Sequence, residues 1–370
     1  MRICLLSKYP PIQGGISART YWLTCGFAER GVETHVVTNA NCVEKEYRIN
    51  DTSVDSSSNL HVHFIDSTLP WHIPDSQLYV PRLLERILQI IKESRIDLID
   101  TGYLIPYGIV GYLVFKITGI PYVLRHGGSD LEKFFRKDVL GNLLKEVIIN
   151  AAAIITDNQN KKTFQNLNSN IFTIPRYIPD ERYFKPSLLP HAKPTFAYIG
   201  KINYHWRHKS LHRIVDIFQD LNGDYRLLFV GQGKGLNDFS KFVNGYSLMN
   251  TQFRQFVHPA NMPSLLDEID FLIYFNKDNP IKDFTNIFCE ALWSGAQVLT
   301  DSIMDLDIYS EYINFPDSQI IKLPIDDLVM TKSTVLGLIK PWKKPQKYSC
   351  ELKYDFDKYM DANISAYRAI

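Results

Sequence analysis

Neither sign of charge is in excess in this chain. Lys and Arg number 41 against 40 Asp and Glu, which argues against a nucleic-acid binder driven by bulk charge while leaving room for a local basic site. Long apolar runs are missing too. The most membrane-like stretch, 103–115, is interrupted at Lys116 and falls well short of the roughly 20 residues a spanning helix needs. The opening "MRICLLSKYPP" has too short an apolar part for a signal peptide and reads as a first strand. Cysteine is sparse: Cys4, Cys25, Cys42, Cys289 and Cys350 are scattered, odd in number and without metal-ligand spacing. Reduced thiols in a cytoplasmic protein are the plain reading. There is no GxGxxG string, which weakens a nicotinamide or flavin reading, and no short internal repeat.

What is present is core material, with 45% hydrophobic and 13% aromatic residues, too much for disorder. A length of 370 residues exceeds what one core usually supports, so about two domains are expected. Strand-like and helix-like runs alternate, the signature of α/β architecture with parallel sheets. "RICLLS" (2–7), a helix over 18–30 closed by Gly31 and "THVVTN" (34–39) make a βαβ unit, continued by "IDLIDT", a helix near 106–118, "PYVLRH" and "AIITDN". Residues 175–194, rich in proline and charge, read as a linker. A second series follows: "TFAYIG", a helix near 209–221, "YRLLFVG", a helix near 262–267, "DFLIYF", a helix within "KDFTNIFCEALWSG", and "AQVLTD". The expectation is two doubly wound, Rossmann-like domains facing a cleft, 1–178 and 192–354. Ligands in such sheets bind outside the carboxyl ends of the strands. The segment 355–370 carries Phe356, Tyr359, Met360, Ile364 and Tyr367 on one stripe and is expected to dock back on the first domain.

Four loops carry the chemistry. After the first strand, Gly14 and Gly15 let the backbone approach a ligand closely, and the helix start behind them points N–H groups at it; an ordinary strand-to-helix turn fits the pair equally. In "YIGKINYHWRHKS", Lys201 and Lys209 at a strand's carboxyl end are placed to neutralise a diphosphate, with a solvated basic loop as the other reading. "LRHGGSD" sets His126 and Asp130 around two glycines, for a ligand-facing or a structural role. In "KDFTNIFCEALWSG", Asp283 and Thr285 are expected to cap a helix, and Thr285 and Asn286 to offer backbone N–H groups to phosphate. Glu290, one turn in, suits a ribose diol, since an acceptor-only carboxylate pairs with vicinal hydroxyls. "GQGKG" (231–235) reads as a tight turn.

Taken in this order, "PPIQGG", "HGGSD", "IPRYIPDERYFKP", "GKIN" with Lys209-Ser210, "FVGQGKG" and "DFTNIFCEALWSGAQVLTD" resemble the retaining nucleotide-sugar glycosyltransferases of family 4, which have the GT-B fold. The resemblance implies an acceptor-binding first domain, a donor-binding second domain and a final helix that crosses back. It also implies no cofactor and no essential metal. By position, Lys201 and Lys209 would hold the donor diphosphate, Gly15 would approach the donor phosphate, Glu290 would bind ribose and His126 would lie beside the reacting sugar, with Asp130 on the acceptor side. Retention would proceed by front-face attack, the leaving phosphate taking the acceptor's proton. The implied partners are a nucleotide-sugar donor, UDP-sugar foremost, and a glycan or lipid-linked acceptor in surface polysaccharide assembly, with no nucleic acid. Three positions depart from the family pattern: Lys282 stands where a Glu is expected, with Asp283 one residue along; Lys201 replaces an arginine; Ser210 replaces a glycine.

"LEKFFRKDVLGNLLKEVI" (131–148) mixes Phe134, Phe135, Leu140 and Leu144 with Lys133, Arg136, Lys137 and Lys145. Such a helix either lies on the inner face of an anionic membrane or packs one side into the domain. Two other functions stay open, a nucleotide-sugar epimerase of the same fold and a non-catalytic nucleotide-sugar binder; Lys282 keeps the second alive.

Overall fold

A parallel strand covered on both faces needs unbroken apolar sequence, and such segments form the interior of two separate sheets. The computed structural model describes residues 1–50, 57–65, 79–135, 140–186, 192–246, 248, 250–279, 285–301, 306–310, 313–340 and 351–370. It divides into one unit of Met1–Ile178 with Asp355–Ile370 and a second of Pro179–Tyr354, here domains 1 and 2.

Domain 1 runs β1 (Arg2–Leu6), α1 (Gly15–Glu29), β2 (Glu33–Thr38), β3 (Leu60–Phe64), α2 (Tyr79–Glu93), β4 (Leu98–Thr101), α3 (Ile109–Thr118), β5 (Tyr122–Leu124), α4 (Gly141–Ile149), β6 (Ala153–Thr156), α5 (Asn158–Phe164) and β7 (Ile171–Thr173). Its seven-stranded sheet has the order β3-β2-β1-β4-β5-β6-β7 with every pair parallel. The chain winds outward from β1 to β3, then returns across β1 to β4, so the topological switch point lies between β1 and β4. Leu6, Ile99, Tyr107, Tyr122, Leu144 and Phe164 belong to one buried cluster against this sheet.

Domain 2 repeats the plan with β8 (Thr195–Ile199), α6 (Leu211–Phe218), β9 (Arg226–Val230), α7 (Leu236–Asn244), β10 (Thr251–Arg254), α8 (Met262–Asp267), β11 (Phe271–Tyr274), α9 (Asn286–Trp293), β12 (Gln297–Asp301), α10 (Asp307–Ser310), β13 (Ile313–Asn314), β14 (Ile320–Leu323), α11 (Leu328–Ile339) and β15 (Glu351–Leu352). Its six-stranded parallel sheet has the order β10-β9-β8-β11-β12-β14, and the switch point falls between β8 and β11.

The last helix, α12 (Phe356–Arg368), belongs to domain 1. Asp355 caps it by accepting the Lys358 N–H at 2.7 Å. The expected stripe of Phe356, Tyr359, Met360, Ile364 and Tyr367 is buried throughout, each side chain contributing about 1.5–3 kcal/mol of gross stabilisation. The helix approaches α1 closely at Gly26, where an added Cβ would stand 2.7 Å from Met360 Sδ.

Two expectations are corrected. Helix α1 starts at Gly15 rather than at residue 18, because Gly14, with φ of 135°, supplies the non-helical entry directly before it. The stretch 131–148 is not one helix: Leu131–Phe135 form a single wide turn and α4 begins at Gly141, while Arg136 and Lys137 lie outside the described residues. Leu144, Val147 and Ile148 of α4 are buried in the domain core, while Leu143 and Ile149 are exposed. Among the described residues no helix is long and apolar enough to cross a membrane.

Candidate functional site

In domain 2 the loop leaving β8, beside the switch point, carries both lysines. Lys201 is half-buried and Lys209 exposed. The loop's shape comes from two close backbone approaches. A Cβ on Gly231 would stand 1.8 Å from the Gly200 carbonyl oxygen, and one on Gly235 2.0 Å from that of Asn203. The glycines of "GQGKG" therefore bring two strand-end loops into contact. Ile202 N–H donates to the Gln232 carbonyl at 3.1 Å and Gly235 N–H to the Ile202 carbonyl at 3.0 Å.

At the far end of the loop Ser210 adopts a left-handed conformation, φ 56° and ψ 24°, and is fully buried. A glycine takes that conformation without strain, whereas serine carries a steric penalty. Its hydroxyl donates to Asp278 Oδ2 at 2.8 Å, and Arg213 donates to the same carboxylate through Nε at 2.7 Å and Nη2 at 3.2 Å. Arg213 holds the Asp278 carboxyl below the usual carboxylate range. Since Asp278 lies just beyond β11, this contact ties together the two loops that flank the switch point. Between the lysines, Arg207 is engaged elsewhere: its guanidinium lies 4.6 Å from the Trp206 ring centroid and 5.0 Å from that of Phe242.

Helix α9 follows β11. Thr285 is its N-cap residue, in extended conformation, but makes no side-chain capping bond; its N–H donates instead to the Tyr309 hydroxyl at 3.1 Å. The expected Thr285 cap is therefore corrected, and that N–H is engaged within the protein. Asn286 opens the helix, half-buried. Glu290 is 3% exposed, on a helix whose Phe288 stacks on Tyr309 at 4.2 Å. Asp283 and Lys282 fall outside the described residues.

In domain 1 the loop after β1 leads to Gly14 and Gly15, the first half-buried and the second exposed at the start of α1. His126, after β5, is 3% exposed, with Nε2 2.8 Å from Thr156 Oγ1 and its ring 5.6 Å from Phe164. Asp130 is also buried. Its Oδ1 accepts the N–H groups of Gly127 (2.8 Å) and Leu131 (3.1 Å), and its Oδ2 that of Leu104 (2.8 Å). Burial pushes its pKa up while these N–H groups oppose the shift. The carboxylate thus clamps the loop after β5 to the loop after β4. Of the two glycines between, Gly127 packs on Tyr103, where a Cβ would stand 2.3 Å from the ring, and Gly128 has φ of 82°.

Sequence reasoning missed several charged residues here. Arg19 of α1 donates to the carbonyls of Gly102 (2.9 Å) and His126 (3.4 Å), bracing the same loops from beneath. Arg125 donates through Nε to Asp100 at 2.7 Å and through Nη2 to Asn363 at 2.5 Å and the Tyr367 hydroxyl at 3.0 Å; the Tyr367 hydroxyl in turn donates to Asp100. Burial works against the Arg125 charge, but Asp100 and its other neighbours outweigh it and raise its pKa. Lys8, in the loop after β1, has Nζ 5.5 Å from the Tyr103 ring centroid. A cation directly after a strand, the signal that picked out Lys201, was available for Lys8 in "LLSKYPP".

Residues 13–182 match the sequence family Glycosyltransferase Family 4. No curated protein sequence matches the chain. Among solved structures, sucrose-phosphate synthase from Thermosynechococcus elongatus aligns with a TM-score of 0.68 at 15% identity, covering 100% of this chain and 94% of that one. HepE of Anabaena in complex with UDP and glucose gives 0.64 at 16% identity, with 100% and 95% covered. WaaG, a glycosyltransferase involved in lipopolysaccharide biosynthesis, gives 0.57 at 14%, with 100% and 94% covered. These likenesses are to the fold, two Rossmann-like domains of the GT-B kind.

Proposed function

We propose that this chain, whose residues 13–182 match Glycosyltransferase Family 4, moves a sugar from a UDP-sugar to a glycan or lipid-linked acceptor with retention of configuration. The observation that carries this reading is Lys201 and Lys209 on a single loop at the carboxyl end of β8. That loop is shaped by Gly231 and Gly235 and tied to its neighbour by Ser210 and Asp278. A diphosphate leaving group needs cations held in place before the reaction, because preorganised charge stabilises the developing negative charge without reorganisation. On this reading the bond from the sugar's anomeric carbon to the diphosphate oxygen breaks through an oxocarbenium-like state. The acceptor oxygen bonds to that carbon on the same face and its proton passes to the departing phosphate.

Lys201 and Lys209 receive the diphosphate, Asn286 at the start of α9 adds a backbone N–H, and Glu290 accepts from the ribose hydroxyls. Gly14 and Gly15 offer N–H groups at the exposed start of α1, and His126 serves beside the sugar. Asp130 acts through the loops it joins. With two lysines at the diphosphate the reading needs no divalent metal there. The likeness to HepE, which was seen with UDP and glucose, supports a UDP-sugar; the likeness to WaaG supports a surface polysaccharide acceptor. Exposed Leu140, Leu143 and Ile149 beside exposed Lys145 offer a small patch for a lipid-linked acceptor's membrane. Recovery of the protein only in the supernatant after sedimentation with anionic vesicles would remove that part.

Calorimetric titration with UDP, GDP, ADP and CMP, without divalent metal, tests the core of the proposal. Preferential binding of UDP that is lost in Glu290→Ala is expected. Turnover should then require acceptor, whereas an epimerase turns over without one and a binder releases no UDP even slowly. Absence of nucleotide binding, with or without magnesium, would overturn the reading.

A further inference from the structure

The other end of the domain 1 sheet carries a cluster that sugar transfer does not use. In parallel strands, register partners and alternate residues share a face. His35 of β2 pairs with His61 of β3, and Val37 with His63. Glu33, His35, His61 and His63 therefore stand together on one face of the edge strand and its neighbour. All but His63 lie near the amino ends of β2 and β3, the opposite end from Gly14 and Gly15. The ring centroids of His35 and His61 are 4.7 Å apart and those of His35 and His63 5.1 Å apart.

The contacts among them are directional. His35 Nε2 is 3.4 Å from Glu33 Oε1, and His35 Nδ1 is 2.9 Å from His63 Nε2. One ligand atom each from Glu33, His35 and His61 lies within 4.8 Å of the others. A tetrahedral ion with bonds of about 2.0–2.1 Å holds its ligand atoms about 3.3 Å apart. The His35–Glu33 pair already has that spacing, and the His61 ring is exposed. The second carboxylate oxygen of Glu33 accepts from Arg2 Nε at 2.6 Å, which holds the carboxylate and leaves Oε1 facing His35.

We propose that Glu33, His35 and His61 bind one divalent transition-metal ion of the zinc class, with His63 as the acceptor that orients His35. A ligating imidazole characteristically donates its other ring N–H to a nearby acceptor, which fixes its tautomer and direction. His63 Nε2 sits where that acceptor is needed, and with it in that role the 3.5 Å contact from Arg86 to His63 Nδ1 is given up. A neutral imidazole is the form that ligates or accepts. Two imidazoles and one carboxylate suit zinc, cobalt or nickel better than magnesium or calcium, which favour all-oxygen sites. The ion would clasp the edge strand β3 to β2, far along the strands from the loops assigned to sugar transfer, so the role is structural.

The test uses the full chain, purified without a histidine tag and stripped with chelator, then titrated with Co²⁺ while its visible absorption is followed. One equivalent should produce intense tetrahedral bands that Zn²⁺ abolishes, and Zn²⁺ should raise the thermal midpoint. His61→Ala and Glu33→Gln, both at the rim of the cluster, should weaken binding at least roughly ten-fold and remove the thermal shift. His208→Ala, an exposed histidine of domain 2, should change neither. UDP titration of His61→Ala should match the parent, which separates failure here from failure of the transferase reading. Absence of stoichiometric uptake, or uptake by His61→Ala equal to the parent's, would overturn the site and leave a purely hydrogen-bonded histidine array.

Discussion

The two domains share one winding plan, yet the charged residues singled out at the carboxyl ends of their strands differ in burial. In domain 1 Arg19, Asp100, Arg125 and Asp130 are buried and bonded to one another, to loop carbonyls and N–H groups, or to α12. In domain 2 Lys209 is exposed and Lys201 half-buried, on a loop whose shape comes from glycines and from Ser210 with Asp278. Buried charge in the first domain therefore builds structure, while the lysines of the second are the ones proposed to meet a ligand. The contrast predicts that substitutions in the first set are read in stability and those in the second in binding.

The largest effect is expected at Asp100. Asp100→Ala strands the buried Arg125 and removes the acceptor for Tyr367, at a cost of about 3–5 kcal/mol, because breaking a buried ion pair leaves an uncompensated charge. Denaturant unfolding measures it. A loss below about 1 kcal/mol, the level typical of an exposed pair, would mean that the Asp100 pair contributes little to the docking of α12. Next comes Lys209→Ala, expected to lose about 1.5–3 kcal/mol of UDP binding, the range for hydrogen bonds to charged groups, with an unchanged melting curve. Arg207→Ala should do the reverse. Its contacts with Trp206 and Phe242 are worth about 0.5–1 kcal/mol of stability, and UDP affinity should hold. Equal losses of affinity in both variants would remove the assignment of Lys209 to the diphosphate.

Gly231→Ala blurs the division and so sharpens it. The new methyl group meets the Gly200 carbonyl, so the variant should lose about 1–3 kcal/mol of stability by overpacking and also some UDP affinity, because Lys201 follows Gly200. Stability lost without affinity would show that the position of Lys201 does not depend on this contact.

The same division governs what the sequence made legible. Every inner strand of both sheets was readable, from "RICLLS" to "AQVLTD", because burial on both faces leaves a continuous apolar run. The edge strands β3, β7, β10 and β14 were not. Their exposed sides admit polar residues, as in "LHVHF" and "TQFR", and short alternating segments look like loops. The exposed loops with lysine and glycine were visible as local strings. The buried network was not, since Asp100, Arg125 and Tyr367 are joined across 25 and 267 residues of chain and no local pattern marks them. Asp130 was found by its motif, but its partners, backbone N–H groups of its own loop and of Leu104, carry no letter in a sequence.

The smallest effect is the most discriminating. At Ser210 the left-handed backbone and the hydroxyl bond to Asp278 act against each other. A non-glycine residue in that conformation costs about 1–2 kcal/mol, and a hydrogen bond to a charged acceptor returns about 1.5–3 kcal/mol. Ser210→Gly removes both and should change stability by under about 1 kcal/mol. Ser210→Ala keeps the strain and loses the bond, leaving Asp278 to Arg213 and to His212, whose Nε2 is 3.7 Å away, so it should cost more than the glycine variant. If alanine and glycine behave alike, the Asp278 bond does not stabilise this loop, and the serine is tolerated rather than compensated. If alanine is worse and its UDP affinity falls with stability, the loop that carries Lys209 is held by the Ser210 side chain.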